Sequence, residues 1–368
     1  MAIVRLSLTN FRNHGAVELS TGPGLVALYG ANGAGKTNIL EALSLLTPGR
    51  GLRGAALPEM ARDGAGAGFA VYADWEARAG AVALGTGVAA ERPTRRQVRI
   101  NGAAAAASSL AEWLAVLWLT PAMDRLFMDS AGARRRFLDR LVLALEPGHA
   151  LHAGRLEAAL RARGKLLGDP RGFDVGWMAA LEGQIGEHGA AVDGARLRTL
   201  AALSEELTRQ DSDDNFPRPE VSLFDSEGTE RRDRWSAADL TALLAARRKI
   251  DAGAGRTTAG PHRDDLLVRH QTSGRAAARC STGEQKGLLL AIIMAHTDCI
   301  ARQRGARPLL LLDEVAAHLD PERRAALYTR LATGGGQCWL TGTEAALFDA
   351  MPGPVTRFAL GRDGISAA

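Results

Sequence analysis

Lysine is nearly missing from this chain. Lys and Arg together number 45 in 368 residues, and only four of them are lysines. Cysteine is equally scarce: Cys280, Cys299 and Cys338 stand apart, with no paired spacing. That excludes a disulfide framework and a cysteine zinc site, and it fits a reducing cytoplasm. Aromatic residues make up 5%, so a surface that stacks successive bases of a single strand is disfavoured. No apolar run approaches the ~20 residues that span a membrane. The start, Met1-Ala2-Ile3-Val4-Arg5, lacks the charged-then-apolar pattern of an export signal. A net charge of +4 permits a nucleic-acid partner without demanding one. The remainder, 46% hydrophobic and 23% charged, is long enough for two lobes around sizeable cores.

Against that scarcity, one lysine stands out. Gly30-Ala31-Asn32-Gly33-Ala34-Gly35-Lys36-Thr37 fits the phosphate-binding pattern G-x-x-x-x-G-K-[ST] at every fixed position. The run Leu25 to Tyr29 before it reads as a buried strand, and Asn38 to Leu43 after it as an amphipathic helix. Strand, glycine loop and helix start is the context in which backbone N–H groups wrap phosphates. Lys36 is expected to reach the β- and γ-phosphates of ATP, and Thr37 to hold Mg²⁺.

A second half-site follows about 270 residues later. Leu309-Leu310-Leu311-Leu312-Asp313-Glu314 is an apolar strand ending in two acids. Asp313 is expected to hold Mg²⁺ from a strand beside the phosphate-loop strand, and Glu314 to polarise the attacking water. Small kinases and GTPases place these parts closer together, so a large insertion divides one ATPase core. The helical stretch from Ser130 to about Arg209 is the natural insertion.

The remaining periodicities complete an α/β chain. Strands are expected at 3–8 and 15–20, in one sheet with 25–29, and at 68–77, 81–89 and 96–100. Asn101-Gly102 is a turn pair. Ser109 with Glu112 suggests a capping box for a helix through Ala115. A loop is expected over 211–217, a strand over 220–224, helices over 236–248, 281–300 and 320–331, and strands over 337–340 and 355–360.

Cys280-Ser281-Thr282-Gly283-Glu284-Gln285 opens a helix about thirty residues before Asp313 and resembles the L-S-G-G-[QE] signature of ABC ATPases. Thr282 replaces its first glycine, and Lys286 follows it. Ala317-His318-Leu319-Asp320 stands where those ATPases carry the D-loop. Further blocks narrow the resemblance. Leu8-Thr9-Asn10-Phe11-Arg12-Asn13-His14, Arg134-Arg135-Arg136-Phe137-Leu138-Asp139 and Gly260-Pro261-His262-Arg263-Asp264-Asp265-Leu266 are similar, in that order, to blocks of the RecF family of ABC/SMC-like ATPases. Trp118-Leu119-Thr120-Pro121 stands at a Ser-Pro-led segment of that family, and Asp124 at the place of a Q-loop residue.

The resemblance implies an ABC-type ATPase head with a helical second lobe and no long coiled coil. On it, residues 1–120 with 280–368 form the discontinuous ATPase lobe, and 121–279 the helical lobe. It implies an ATP-dependent homodimer in which each nucleotide lies between the phosphate loop of one subunit and the signature of the other. Double-stranded and gapped DNA and other recombination mediator proteins are the implied partners, and slow hydrolysis is the release switch. The implied nucleotide contacts are Gly30 to Asn38, Arg12, Asn13, Ser281, Gly283 and Asp320. Either Thr341 or Thr343, in Trp339-Leu340-Thr341-Gly342-Thr343-Glu344, is the switch residue. Arg50, Arg53, Arg95, Arg96 and Arg135 are candidate contacts to the DNA backbone. Three rival classes share some of these features: a transporter ATPase subunit, an architectural DNA clamp with an idle site, and a small-molecule kinase. The G-P-H-R-D-D-L block, the intact Lys36, Asp313 and Glu314, and the long spacing disfavour each in turn.

Overall fold

The apolar run ahead of the glycine loop is a strand, Leu25–Gly30, in the middle of a sheet. In this computed structural model that sheet is ordered Gly364–Ala367, Val355–Gly361, Leu25–Gly30, Cys338–Gly342, Leu309–Leu312, Val116–Leu119. The pairings are parallel except at the Gly364–Ala367 edge. Strands covered on both faces read as unbroken apolar runs, and Leu309–Leu312 and Val116–Leu119 are buried at every position. The chain is described except for residues 67, 79, 170–171, 210–215 and 362–363. The loop expected over 211–217 therefore lies, up to residue 215, outside the described residues.

Three sequence expectations change here. Strand Cys338–Gly342 is interposed between the phosphate-loop strand and Leu309–Leu312, which were expected to be neighbours. The strands near 3–8 and 15–20 do not share a sheet with 25–29. They belong to an antiparallel sheet ordered His14–Ser20, Ala2–Phe11, Phe69–Ala77, Gly80–Val88, Arg96–Ile100, Ala103–Ala104. Ser109 makes no side-chain cap bond, because the 3₁₀ turn Ala107–Ser109 already places it in helical backbone ahead of Leu110–Trp113.

The chain divides into two compact units, Met1–Met123 with Ile300–Ala368, and Asp124–Cys299. In the first, Ile39, Leu40 and Leu43 of helix Lys36–Ser44 share one core with Leu6 and Leu8 of the antiparallel sheet and Val26, Leu28 and Trp339 of the parallel one. Burial of such side chains is worth roughly 1.5–3 kcal/mol each and fixes the loop between two rigid layers.

The second unit holds helices Ala131–Leu145, His149–Leu167 and the 35-residue Val175–Arg209. Shorter helices, Ala237–Ala246 and Arg248–Gly253, replace the single one expected over 236–248. A small sheet is ordered Glu230–Arg231, Pro219–Phe224, Asp265–His270. The boundary expected near 280 lies instead within helix Thr282–Arg304, so Ser281 belongs to this unit. The reason is local: buried His296 bonds the Leu141 carbonyl at 2.8 Å, and Cys299 Sγ donates to Ala202 O at 3.3 Å. No helix among the described residues is long and apolar enough to cross a membrane.

Charge holds this unit together from inside. Arg163, fully buried, donates to Asp251 at 2.7 Å and to Glu182 at 3.2 Å. The two blocks that stood far apart in sequence interlock. Arg134 forks onto Asp265 at 2.7 Å through both nitrogens, and Arg135 donates to the Asp264 carbonyl at 2.7 Å. Arg196 forks onto Asp139 at 2.8 Å and donates to the Pro261 carbonyl at 2.6 Å. Burial by itself would raise the Asp139 carboxyl, but Arg196 and His149 hold it well below the usual range.

Candidate functional site

The glycine loop has the backbone that its glycines allow. Gly30, Gly33 and Gly35 have φ of 149°, 83° and 99°, which side-chain-bearing residues rarely adopt. A Cβ on Gly30 would lie 2.1 Å from the Leu360 carbonyl oxygen. One on Gly35 would lie within 2.7 Å of the His14 and Asn13 side chains. Gly35 caps helix Lys36–Ser44 with no side chain on the free N–H groups. The first-turn donors and the helix dipole thus face the loop, as anion binding requires.

Lys36 is 4% exposed, and its Nζ donates to the Gly30 carbonyl at 2.6 Å and the Ala31 carbonyl at 3.0 Å. Burial lowers its pKa, while Glu314 and Asp313 favour the charged form. The acid pair is close by in the same unit. Thr37 Oγ1 donates to Asp313 Oδ1 at 2.9 Å, and Thr341 Oγ1 donates to the same oxygen at 2.7 Å. The Glu314 amide donates to Thr341 Oγ1 at 2.8 Å. Burial pushes the Asp313 carboxyl up, the two hydroxyls pull it back, and Glu314 adds to the rise. A cation beside Asp313 would relieve this burden. Hydroxyl and carboxylate oxygens are the donors Mg²⁺ prefers, in sites where few protein ligands suffice. Among the described residues no three His, Cys, Asp or Glu converge into a protein-only cage.

The interposed strand sets the two threonines apart. Thr341 is buried at the end of Cys338–Gly342, between the phosphate-loop strand and the Asp313 strand, whereas Thr343 is exposed beyond it.

A second network meets the same loop and helix. Arg12 forks onto Glu41 at 2.8 and 2.7 Å and donates to the Glu59 carbonyl at 2.7 Å. Arg53 donates to Glu41 and to Asn38 Oδ1, each at 2.7 Å. Asn38 in turn donates to Asn13 Oδ1 at 2.7 Å, and His14 Nε2 lies 3.1 Å from the Gly35 carbonyl. Glu41, fully buried, was not singled out from sequence. Its signal was position: four residues after Thr37, it shares that residue's helix face. The non-glycine residues with left-handed φ are Asn10, Arg12, Glu314 and Asn101. Arg12 and Glu314 belong to this site, where strained backbone is characteristic, and Asn101 makes the expected hairpin turn with Gly102.

Other expected residues sit elsewhere. Ser281 and Gly283 are exposed in the second unit. Ser281 and Glu284 form a capping box: the Ser281 amide and hydroxyl donate to Glu284 Oε2 at 2.7 and 2.8 Å, and Ser281 Oγ accepts the Glu284 amide at 3.3 Å. Asp320 caps helix Pro321–Gly334 by accepting the Arg323 amide at 2.8 Å. Lys286 meets Asp124 at 3.5 Å.

Three of the five DNA candidates are committed to the protein. Arg53 pairs with Glu41 as described. Arg96 donates to Thr86 Oγ1 at 2.8 Å and to the carbonyls of Leu45, Thr47 and Gly49, closing the end of helix Lys36–Ser44. Burial lowers its pKa to about 10. Arg135 supports the Asp264 backbone. Arg50 and Arg95 are exposed.

Known proteins match this arrangement. The family described as RecF/RecN/SMC N terminal domain matches residues 2–351. A DNA replication and repair protein RecF of Allorhizobium ampelinum is 49% identical over 94% of this chain and 93% of its own. Its counterpart in Mesorhizobium japonicum is 46% identical over 95% and 94%. A solved RecF-ATP, the recombination mediator protein in the RecFOR pathway, has a TM-score of 0.86 at 20% identity, covering 100% of this chain and 97% of that one. The Smc head domain of Pyrococcus furiosus has a TM-score of 0.55 at 16% identity, covering 100% and 95%. These likenesses place the fold among RecF and SMC heads. Spanned by the family match and nearly half identical to curated relatives along almost its full length, the chain belongs to the RecF family.

Proposed function

We propose that this chain is a weak ATPase and DNA-binding recombination mediator. ATP with Mg²⁺ closes it into a homodimer on duplex and gapped DNA, and slow hydrolysis releases it. The carrying observation is the convergence of Thr37, Asp313 and Thr341 beside the phosphate loop. The names of the relatives and the ATP carried by the solved RecF support the same reading.

Lys36 exchanges the carbonyls of Gly30 and Ala31 for the β- and γ-phosphates. Thr37 and Asp313 are the residues to hold Mg²⁺, which when bound offsets the phosphate charge. Thr341 fixes the Asp313 carboxylate and the Glu314 amide together, so Glu314 can take a proton from the attacking water. In this reading the exposed Ser281 and its helix N-terminus meet the γ-phosphate bound by a second subunit. There a phosphate oxygen takes over from Glu284 as the hydroxyl's acceptor. Loss of the γ-phosphate removes the contact that distinguishes closed from open, which is a ligand-driven population shift.

Exposed Arg50 and Arg95 are the preferred contacts to the duplex backbone. Arg96 holds the Gly49 carbonyl at 2.8 Å, so the loop carrying Arg50 lies beside the hairpin carrying Arg95. In this reading the protein acts in the cytoplasm with other recombination mediators and helps load recombinase at gaps. Sedimentation with Mg-ATP and duplex tests the core of it. The wild type is expected to dimerise with ATP and Lys36→Arg to stay monomeric. A wild type that remains single under saturating ATP overturns the proposal.

A further inference from the structure

One cleft in the unit Asp124–Cys299 plays no part in the nucleotide site. It encloses about 530 Å³ and lies at the start of helix His149–Leu167. Gly148 caps that helix without a side chain, and the His149 and Leu151 amides bond the Glu146 and Gly148 carbonyls at 2.9 and 3.1 Å. His149, also lining it, is 5% exposed. Its Nε2 is engaged by Asp139 at 3.1 Å, and its Nδ1 is buried with no partner. A buried ring nitrogen normally finds a hydrogen-bond partner, and this one has none within the chain. Trp235 supplies an aromatic wall, with the Arg231 guanidinium 4.6 Å over its ring. Arg198 forks onto Glu146 at 2.9 and 2.7 Å. Arg234 is exposed and pairs with nothing among the described residues.

Charge and size together select the ligand. Glu146 neutralises Arg198, so the cleft offers about one free positive charge, from Arg234, beside an aromatic surface. Binding along a nucleic-acid backbone commonly uses about 6–10 phosphate contacts, and a recess of this volume does not admit a double helix. It falls in the range of pockets that take small ligands or a few side chains. We infer that this cleft binds an acidic peptide segment of a partner protein, with a carboxylate on Arg234 and an apolar side chain against Trp235.

The test uses the full-length chain and a short fluorescein-labelled peptide of alternating Glu and Leu, read by anisotropy. The expected result is binding that Arg234→Glu weakens by at least about tenfold, as loss of a charge-assisted hydrogen bond does. The matching Gln-and-Leu peptide is expected to bind at least about tenfold more weakly. Bound peptide is expected to protect amides of residues 149–152 and 234–236 from hydrogen exchange. ATP-driven dimerisation of Arg234→Glu stays as in wild type, which separates this site from the nucleotide reading. The inference is overturned if the Glu peptide does not bind, if Arg234→Glu binds it undiminished, or if the Gln peptide binds equally. It is also overturned if a short single-stranded oligonucleotide protects the same amides and displaces the peptide, which would make this a phosphate site.

Discussion

Thr341 Oγ1 donates to Asp313 Oδ1 at 2.7 Å and accepts the Glu314 amide at 2.8 Å. One hydroxyl therefore couples the residue proposed to hold Mg²⁺ to the residue proposed to activate water. It reaches both because its strand lies directly beside the one that ends in Asp313 and Glu314. Thr341→Val keeps shape and removes both bonds. ATP hydrolysis is expected to fall about 10- to 100-fold, the size of one or two lost positioning bonds, while Thr343→Val changes it little. Steady-state phosphate release measures this, and equal effects of the two variants would remove the distinction.

Glu314→Gln keeps the volume of the side chain and removes its basicity. Hydrolysis is expected to drop by about 10² or more, and the dimer formed on ATP should persist rather than decay. Size-exclusion chromatography after ATP addition follows the persistence. Hydrolysis at the wild-type rate would show that Glu314 is not the base.

Arg96 and Arg95 are adjacent in sequence, yet Arg96 is bonded within the protein and Arg95 is exposed. Arg96→Ala strips partners from the carbonyls of Leu45, Thr47 and Gly49, at a cost of roughly 2 kcal/mol in unfolding free energy. Arg95→Glu and Arg50→Glu leave stability unchanged. They are expected to weaken duplex binding and flatten its salt dependence by about one unit per lost phosphate contact. Denaturant unfolding and salt-titrated DNA binding, done on all three variants, decide the matter. An Arg95→Glu protein with wild-type affinity and slope would exclude that contact.

Asp264 gives the second unit a pH signature. It is 1% exposed, its Oδ2 has no partner, and burial pushes its carboxyl up to about 7. Arg231 and Arg196 pull the carboxyl down, while Asp193 and Asp225 push it up. A carboxyl raised on folding binds its proton more tightly in the native state. Stability is therefore lost as pH rises from about 4 to about 7, by roughly 4 kcal/mol for such a shift. Asp264→Asn lacks this loss, so its stability relative to wild type should climb over that window. His262, held down to about 4 by burial, titrates in both proteins and cancels in the difference. Unfolding curves that stay parallel from pH 4.5 to 8 would contradict the assignment.

Much of the nucleotide site was legible because it is local. Eight consecutive residues carry the loop, and the apolar run into Asp313-Glu314 marks the second half. The partners of Arg53 and Arg96 were not legible, for the opposite reason. A run of arginines reveals charge but not a buried Glu41 or three helix-end carbonyls waiting elsewhere. Strand Val116–Leu119 was missed because four apolar residues after a short helix carry no period of their own. Ser281 was expected from the signature to contact phosphate, and its capping box with Glu284 needed the structure to be seen.

The amino-acid order alone determined that phosphate can be bound at Gly30 to Thr37, since glycine torsions and a helix start need only neighbours in the chain. It also determined that an acid pair ends a buried strand. Only the tertiary structure decided that Thr341 joins Asp313 to Thr37, that Glu41 gathers Arg12 and Arg53, and that Arg134 to Asp139 lock onto Pro261 to Asp265. Each of those relations depends on which strand or helix packs beside which. A side chain's partner across a core is set by packing over long separations, which local spacing does not encode.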